Sequence, residues 1–184
     1  MKTLNQYIEE TNEAFLNASP SKKRIMIAKD VILRLNTENI IVNGGNFMSN
    51  PMYKGKYFNK STTQFKTVLN NSEVMCRVCA KGALFCSVIG RINNLTLEVL
   101  EDERYNVNVD SFDDAMHQKL LEYFSKEQID LIETAFEGFS YLEQNSWENK
   151  SKALDFFNNN RGPSKPRLIA ICENIIENKG TFIP

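Results

Sequence analysis

Apolar positions recur at helical spacing along most of this chain, and the interruptions mark where elements should end. Leu4, Ile8 and Phe15 stand among acidic neighbours and predict a short amphipathic helix over 4–17. Ser19 and Pro20 suit the cap and first turn of a second helix, whose inward stripe is Ile27, Val31 and Leu35. That helix is expected to run to the stop at Asn43, Gly44 and Gly45, with Ile40–Val42 as a short strand in the alternative reading. Residues 46–66 lack any period and hold Gly, Pro, Asn and aromatics, so they read as a long loop or flap.

The most apolar stretch is Glu73–Gly90. Read as one helix, it gathers Val74, Val78, Phe85 and Ile89 on one side and lines up Cys76, Ala80, Ala83 and Ser87 as a strip of small residues. Close approach of a second helix along that strip would put this helix at the centre of the domain. Leu95, Leu97 and Val99, then Tyr105, Val107 and Val109, alternate about an acidic turn and predict a hairpin over 95–109, with an exposed helix as the other reading. Ser111 suits a cap with Asp113 and Asp114 behind it, and Ser125 to Gln128 has the form of a capping box opening a helix that stops near Gly138. A helix over about 148–158, the loop Arg161-Gly162-Pro163 and a last helix from Pro166 to Gly180 complete the pattern. The class expected is mainly α: one compact domain over 1–184 around a central buried helix, with room for one short β-hairpin.

One ten-residue pattern occurs twice. Glu38 to Phe47 and Glu173 to Phe182 both read E-N-I-I-x-N-x-G-x-F. The expected meaning is one device used twice, a helix stopped at Gly with an aromatic folded back on its last turn; duplication of half a domain is the alternative.

Composition narrows the class. A chain of 184 residues with 42% hydrophobic and 24% charged residues can bury roughly 70% of its unfolded surface, so a folded domain is expected. The formal net charge of -1 disfavours general nucleic-acid binding. No apolar run is long enough to span a bilayer and the acidic start lacks a signal-peptide core, so the expectation is a cytoplasmic protein without a membrane partner, in a host cell's cytoplasm if phage-encoded. Reduced thiols are then expected at Cys76, Cys79, Cys86 and Cys172.

Candidate chemistry is sparse. The Cys76-x2-Cys79 spacing suggests zinc, but it falls in a periodic run, with only Cys172 and His117 as distant partners, and buried thiols explain it better. The single histidine, His117, has no sequence signal bringing it to a cysteine. The acids at 98–103 and 110–114 flank a turn and a helix start, as solvated acids do. No catalytic residue, metal or cofactor is assigned.

Charge placement is more informative. Between Asn39 and Ser72 there is no Asp or Glu, while Lys54, Lys56, Lys60 and Lys66 alternate with Phe47, Tyr53, Tyr57, Phe58 and Phe65. A second acid-free stretch carries Arg161, Lys165 and Arg167, and Arg77, Lys81 and Arg91 fall toward one edge of the central helix. Cations would hold a phosphate and rings would stack on a base. The candidate ligand-binding set is Tyr53, Lys54, Lys56, Tyr57, Phe58, Lys60, Arg77, Lys81, Arg161, Lys165 and Arg167. A solvated loop kept soluble by its lysines explains the same charges without a ligand.

The segment Cys76-Arg-Val-Cys79-Ala80-Lys-Gly82-Ala83-Leu84-Phe85 resembles a C-x-V-C-A-x-G-A-L-F pattern of uncharacterised small proteins of phages and mobile elements, and the run from Arg167 to Pro184 is similar to their ending. The resemblance covers about a fifth of the chain and carries over no active site. It implies a phage accessory or counter-defence role. The expected function is a non-enzymatic protein that sequesters a phosphate-bearing small molecule such as a nucleotide signal. The alternatives are an inhibitor or adaptor gripping a host protein through the aromatic loop, and an enzyme of unrecognised type; a homo-oligomer stays open.

Overall fold

The computed structural model describes residues 3–44, 52–53, 56–57, 69–70, 74–92, 115–139 and 144–184. The elements are α1 (Leu4–Leu16), α2 (Pro20–Asn36), β1 (Ile40–Val42), β2 (Met52–Tyr53), β3 (Lys56–Tyr57), β4 (Val74–Val78), α3 (Ala80–Arg91), α4 (Ala115–Leu121), α5 (Lys126–Glu137), α6 (Trp147–Asn159) and α7 (Ser164–Glu177). The fold is mainly α, as expected, with a small sheet in the order β1-β4-β2-β3. β1 runs parallel to β4, with Ile40 opposite Cys76 and Val42 opposite Val78, and β2 joins β4 antiparallel.

Local signals account for the starts of three of the helices. Ser19, Ser125 and Ser146 each accept the backbone N–H three residues on, and Pro20 opens α2. The ends are less orthodox. α2 stops at Asn36, well before the glycines at 44–45, because Glu38 turns left-handed (φ 57) and Asn39 N–H reaches back to Arg34 O at 3.0 Å. α7 ends in the same motif, with Lys179 left-handed (φ 55) and Gly180 N–H on Ile175 O at 2.7 Å.

The expected helix over 73–90 is two elements. Residues 74–78 form β4, Cys79 is the hinge, and only 80–91 is helical. An apolar run has no period of its own, and the pairing of β1 decides for strand here. Helix α3 is central in the expected sense: all twelve of its residues are buried. It packs against α2, α5 and α4, while α2 lies along α7. Asn145 Nδ2 bonds Glu127 O, and Phe157 packs over Gly138, so α6 starts beside the first turn of α5 and ends beside its last.

The repeated decapeptide does not repeat its structure. Ile40-Ile41 is strand, while Ile175-Ile176 is the last turn of α7. The second copy has the helix stop at Gly180, but its aromatic, Phe182, is buried edge-on to Phe156 of α6, ring centroids 5.3 Å apart; Phe47 of the first copy lies outside the described residues. The expected hairpin over 95–109 lies outside the described residues. Of the expected loop over 46–66, Met52–Tyr53 and Lys56–Tyr57 are strand.

A core wrapped on every side has no polar face for its cations, so they meet carboxylates, side-chain amides and main-chain carbonyls instead of water. Arg91 donates from Nε and Nη2 to both oxygens of Asp30, at 2.6 and 2.8 Å, and both side chains are fully buried. Arg34 donates to Asn39 Oδ1, Leu69 O and Asn70 Oδ1 at 2.6 to 2.8 Å, and Asn70 donates on to Gly90 O. Burial holds the Arg34 guanidinium below its ordinary pKa and Asp30 above its own, the latter against the pull of Arg91.

Candidate functional site

Two places concentrate chemistry, on either side of β4. The first is the end where parallel β1 and β4 both point their carboxyl termini, tied by Asn43 N–H on Val78 O at 2.8 Å. Cys79 caps α3 there without a side-chain hydrogen bond to the helix start. Two residues later Lys81 is buried, its ammonium 2.6 Å from Glu133 of α5. Four residues beyond Glu133, Glu137 lies so close to Gly44 that a Cβ there would stand 2.7 Å from the carboxylate oxygen. Burial pushes the Cys79 thiol up to about 12, against the Gly82 N–H and Lys81, which pull it down; Glu137 and Glu133 add to the rise. A thiol so protonated is a poor nucleophile, and the ammonium beside it is committed to Glu133. Among the described residues no group of three or more His, Cys, Asp or Glu side chains could hold a metal ion. This cluster joins three elements; its geometry is that of a joint in the fold.

The second place is the outer face of the sheet. Along β4 the burial alternates: Cys76 and Val78 face the helices, whereas Met75 (46%) and Arg77 are exposed. Ile41, opposite Arg77 on β1, is 41% exposed. Met52 pairs with Met75 on one side and with Tyr57 on the other, so Tyr57, Met52 and Met75 form one cross-strand row, two residues along β4 from Arg77. Met75 and Arg77, two residues apart on β4, share its exposed face. Tyr53 and Lys56 form the neighbouring row with Val74.

The other candidates are placed as follows. Lys54, Phe58 and Lys60 lie outside the described residues. Lys81 is in the core, not at an exposed edge of α3, because the helix is enclosed and Glu133 is the nearest anion. Arg91, expected on the same edge, is likewise inside with Asp30. Arg167 donates to Phe136 O at 2.6 Å, Gly162 O at 3.0 Å and Asn160 O at 3.2 Å, and lies 4.4 Å over the Phe157 ring. It closes the ends of α5 and α6, and desolvation lowers its pKa. Arg161 is exposed and donates twice to Asn158, at 2.7 and 3.0 Å; Lys165 is exposed. The part of the expected set that shares one sheet is thus Tyr53, Lys56, Tyr57 and Arg77. Sequence reasoning missed Ile41 and Met75 on that face, since a strand's outward positions are visible only once its pairing is known.

No family model, no curated protein and no solved structure matches this chain.

Proposed function

We propose that this chain is a binding protein whose contact surface is the outer face of the β1-β4-β2-β3 sheet, and that its ligand is a phosphate-bearing small molecule with a flat ring, such as a nucleotide. The observation that carries the reading is the pairing of β2 with both β3 and β4, which brings the aromatic and basic segment into one sheet with exposed Arg77. Arg77 supplies a guanidinium for phosphate, Tyr57 a ring for the base, and Met75 and Ile41 an apolar floor. Lys81 and Arg167, occupied inside the fold, have no part in it.

A melt in the presence of mono-, di- and cyclic nucleotides tests the reading. A ligand at about 100 times its Kd adds about 2.7 kcal/mol, enough to raise Tm by roughly 5–10 °C in a chain of this size. Arg77→Ala should abolish the rise. No rise with any nucleotide up to millimolar concentration, or a rise that survives Arg77→Ala, rejects the site.

One observation favours a second reading. Ile41 and Met75, 41% and 46% exposed beside an arginine, have the composition of a protein-binding surface. Salt-sensitive capture of a protein partner, lost in Met75→Glu and unaccompanied by any nucleotide shift, would select it.

A further inference from the structure

The stop of helix α7 runs into residue 181: Gly180 N–H meets Ile175 O at 2.7 Å, Lys179 N–H meets Ile176 O at 3.3 Å and Thr181 N–H meets Asn178 O at 3.2 Å. The two residues that follow are held by contacts from other side chains. Gln128 of α5 accepts Phe182 N–H on Oε1 at 2.6 Å and donates from Nε2 to Phe182 O at 3.1 Å. Asn174 of α7 repeats the arrangement one residue on, accepting Ile183 N–H at 2.9 Å and donating to Ile183 O at 2.7 Å. Between the two amides the Phe182 ring is buried edge-on to Phe156 of α6, while Ile183 is left 54% exposed.

Two side-chain amides thus each grip the N–H and C=O of one residue, on two consecutive residues, and the intervening anchor is an aromatic ring buried against Phe156. Main-chain hydrogen bonds for grip and buried side chains for specificity are how folded domains take extended peptides. Gln128 is diverted to this purpose. Its backbone N–H is on Ser125 Oγ at 3.3 Å, the first half of a capping box, but its amide closes on Phe182 instead of returning to the cap. The entry to the segment is the helix-stop turn in which Lys179 and Gly180 both have positive φ (55° and 91°).

We propose that the seam between α5, α6 and α7 is a binding site for an extended peptide with an aromatic anchor, and that residues 181–184 occupy it in cis. The ligand class is an uncharged segment whose aromatic residue enters the Phe156 pocket and whose next residue lies outward, its main chain gripped by Gln128 and Asn174. A covalently attached occupant has an effective concentration near millimolar, so a free peptide of the same sequence should bind only weakly and should compete once the cis anchor is cut back.

The full-length chain carrying Phe182→Ala is melted with the peptide Gly-Thr-Phe-Ile-Pro, and with Gly-Thr-Ala-Ile-Pro as control. At about five times a millimolar Kd the aromatic peptide should raise Tm by roughly 2–4 °C, the control should not, and adding Gln128→Ala should erase the effect. A folded Phe182→Ala chain that ignores the peptide, or a rise that survives Gln128→Ala, overturns the proposal. Should Phe182→Ala not fold, Phe182→Leu takes its place in the same measurement, and no rise there is equally a refutation. Nucleotides and the sheet face play no part in these readouts, so the outcome is independent of the function proposed above.

Discussion

Removing one partner of the Asp30–Arg91 pair should cost far more than removing both. The two side chains are fully buried and joined by two hydrogen bonds of 2.6 and 2.8 Å, with Thr11 Oγ1 accepting a third from Arg91 at 3.2 Å and the guanidinium 4.8 Å above the Phe15 ring. Arg91→Met leaves Asp30 as an uncompensated charge in the core, and breaking a buried pair this way costs about 3–5 kcal/mol. For a domain of this length that lowers Tm by roughly 6–20 °C. Asp30→Val strands the arginine instead and should cost a similar amount. The double variant, apolar on both sides, should recover to within about 2 kcal/mol of the parent, because the desolvation of both charges disappears with them. Urea denaturation followed by circular dichroism on the parent, both singles and the double gives the coupling energy. Singles that each lose less than about 1 kcal/mol, or a double equal to the sum of its singles, would refute the mutual dependence of the two buried charges.

Glycine 90 gives a prediction of inverted sign. Gly→Ala inside a helix ordinarily gains about 1 kcal/mol, but a Cβ at this position would drive into the Arg34 guanidinium and the Asn70 amide, so Gly90→Ala should destabilise by about 2 kcal/mol or more in the same urea assay. Cys79 predicts an alkaline limit. Its thiol titrates near 12 in the fold against an ordinary value of 9.0, so the unfolded chain releases a proton that the folded chain keeps. Its contribution is intact below pH 9 and falls by about 1.4 kcal/mol per pH unit as pH rises toward 12. Cys79→Ala should flatten that slope relative to the parent in denaturation series at pH 9 to 11, and a slope unchanged by the substitution would contradict the assignment.

What was legible in the sequence is what is local. Ser19 and Ser125 cap within three residues of themselves, so their helix starts could be read from the letters alone. Burial of the α3 run followed from its apolar density. What was not legible depends on partners far along the chain. Arg91 and Asp30 are 61 residues apart, and nothing near Arg91 tells that its charge is answered inside the core instead of by solvent. Lys81 was misplaced for the same reason: an amphipathic wheel assumes a wet side, which an enclosed helix lacks. Residues 74–78 read as helix because their strand identity comes from β1 and β2 on either side. At the candidate surface, the basic and aromatic composition was visible, but which members share a face was set by register. Gln128 shows the converse case: the capping box expected at Ser125–Gln128 is only half formed, because the Gln128 amide closes on Phe182 and not on the cap.

The two E-N-I-I segments bear on how the chain chooses its course after α2. The same four letters are helical at 173–176, so Ile40 and Ile41 carry no inherent commitment to being extended. Their conformation is borrowed from β4, and the single left-handed residue Glu38 is what stops α2 from absorbing them. That one backbone angle is therefore a branch point: turned as it is, it delivers the parallel strand on which the sheet is built, and turned to the right-handed side it would lengthen a helix and leave β4 without its neighbour.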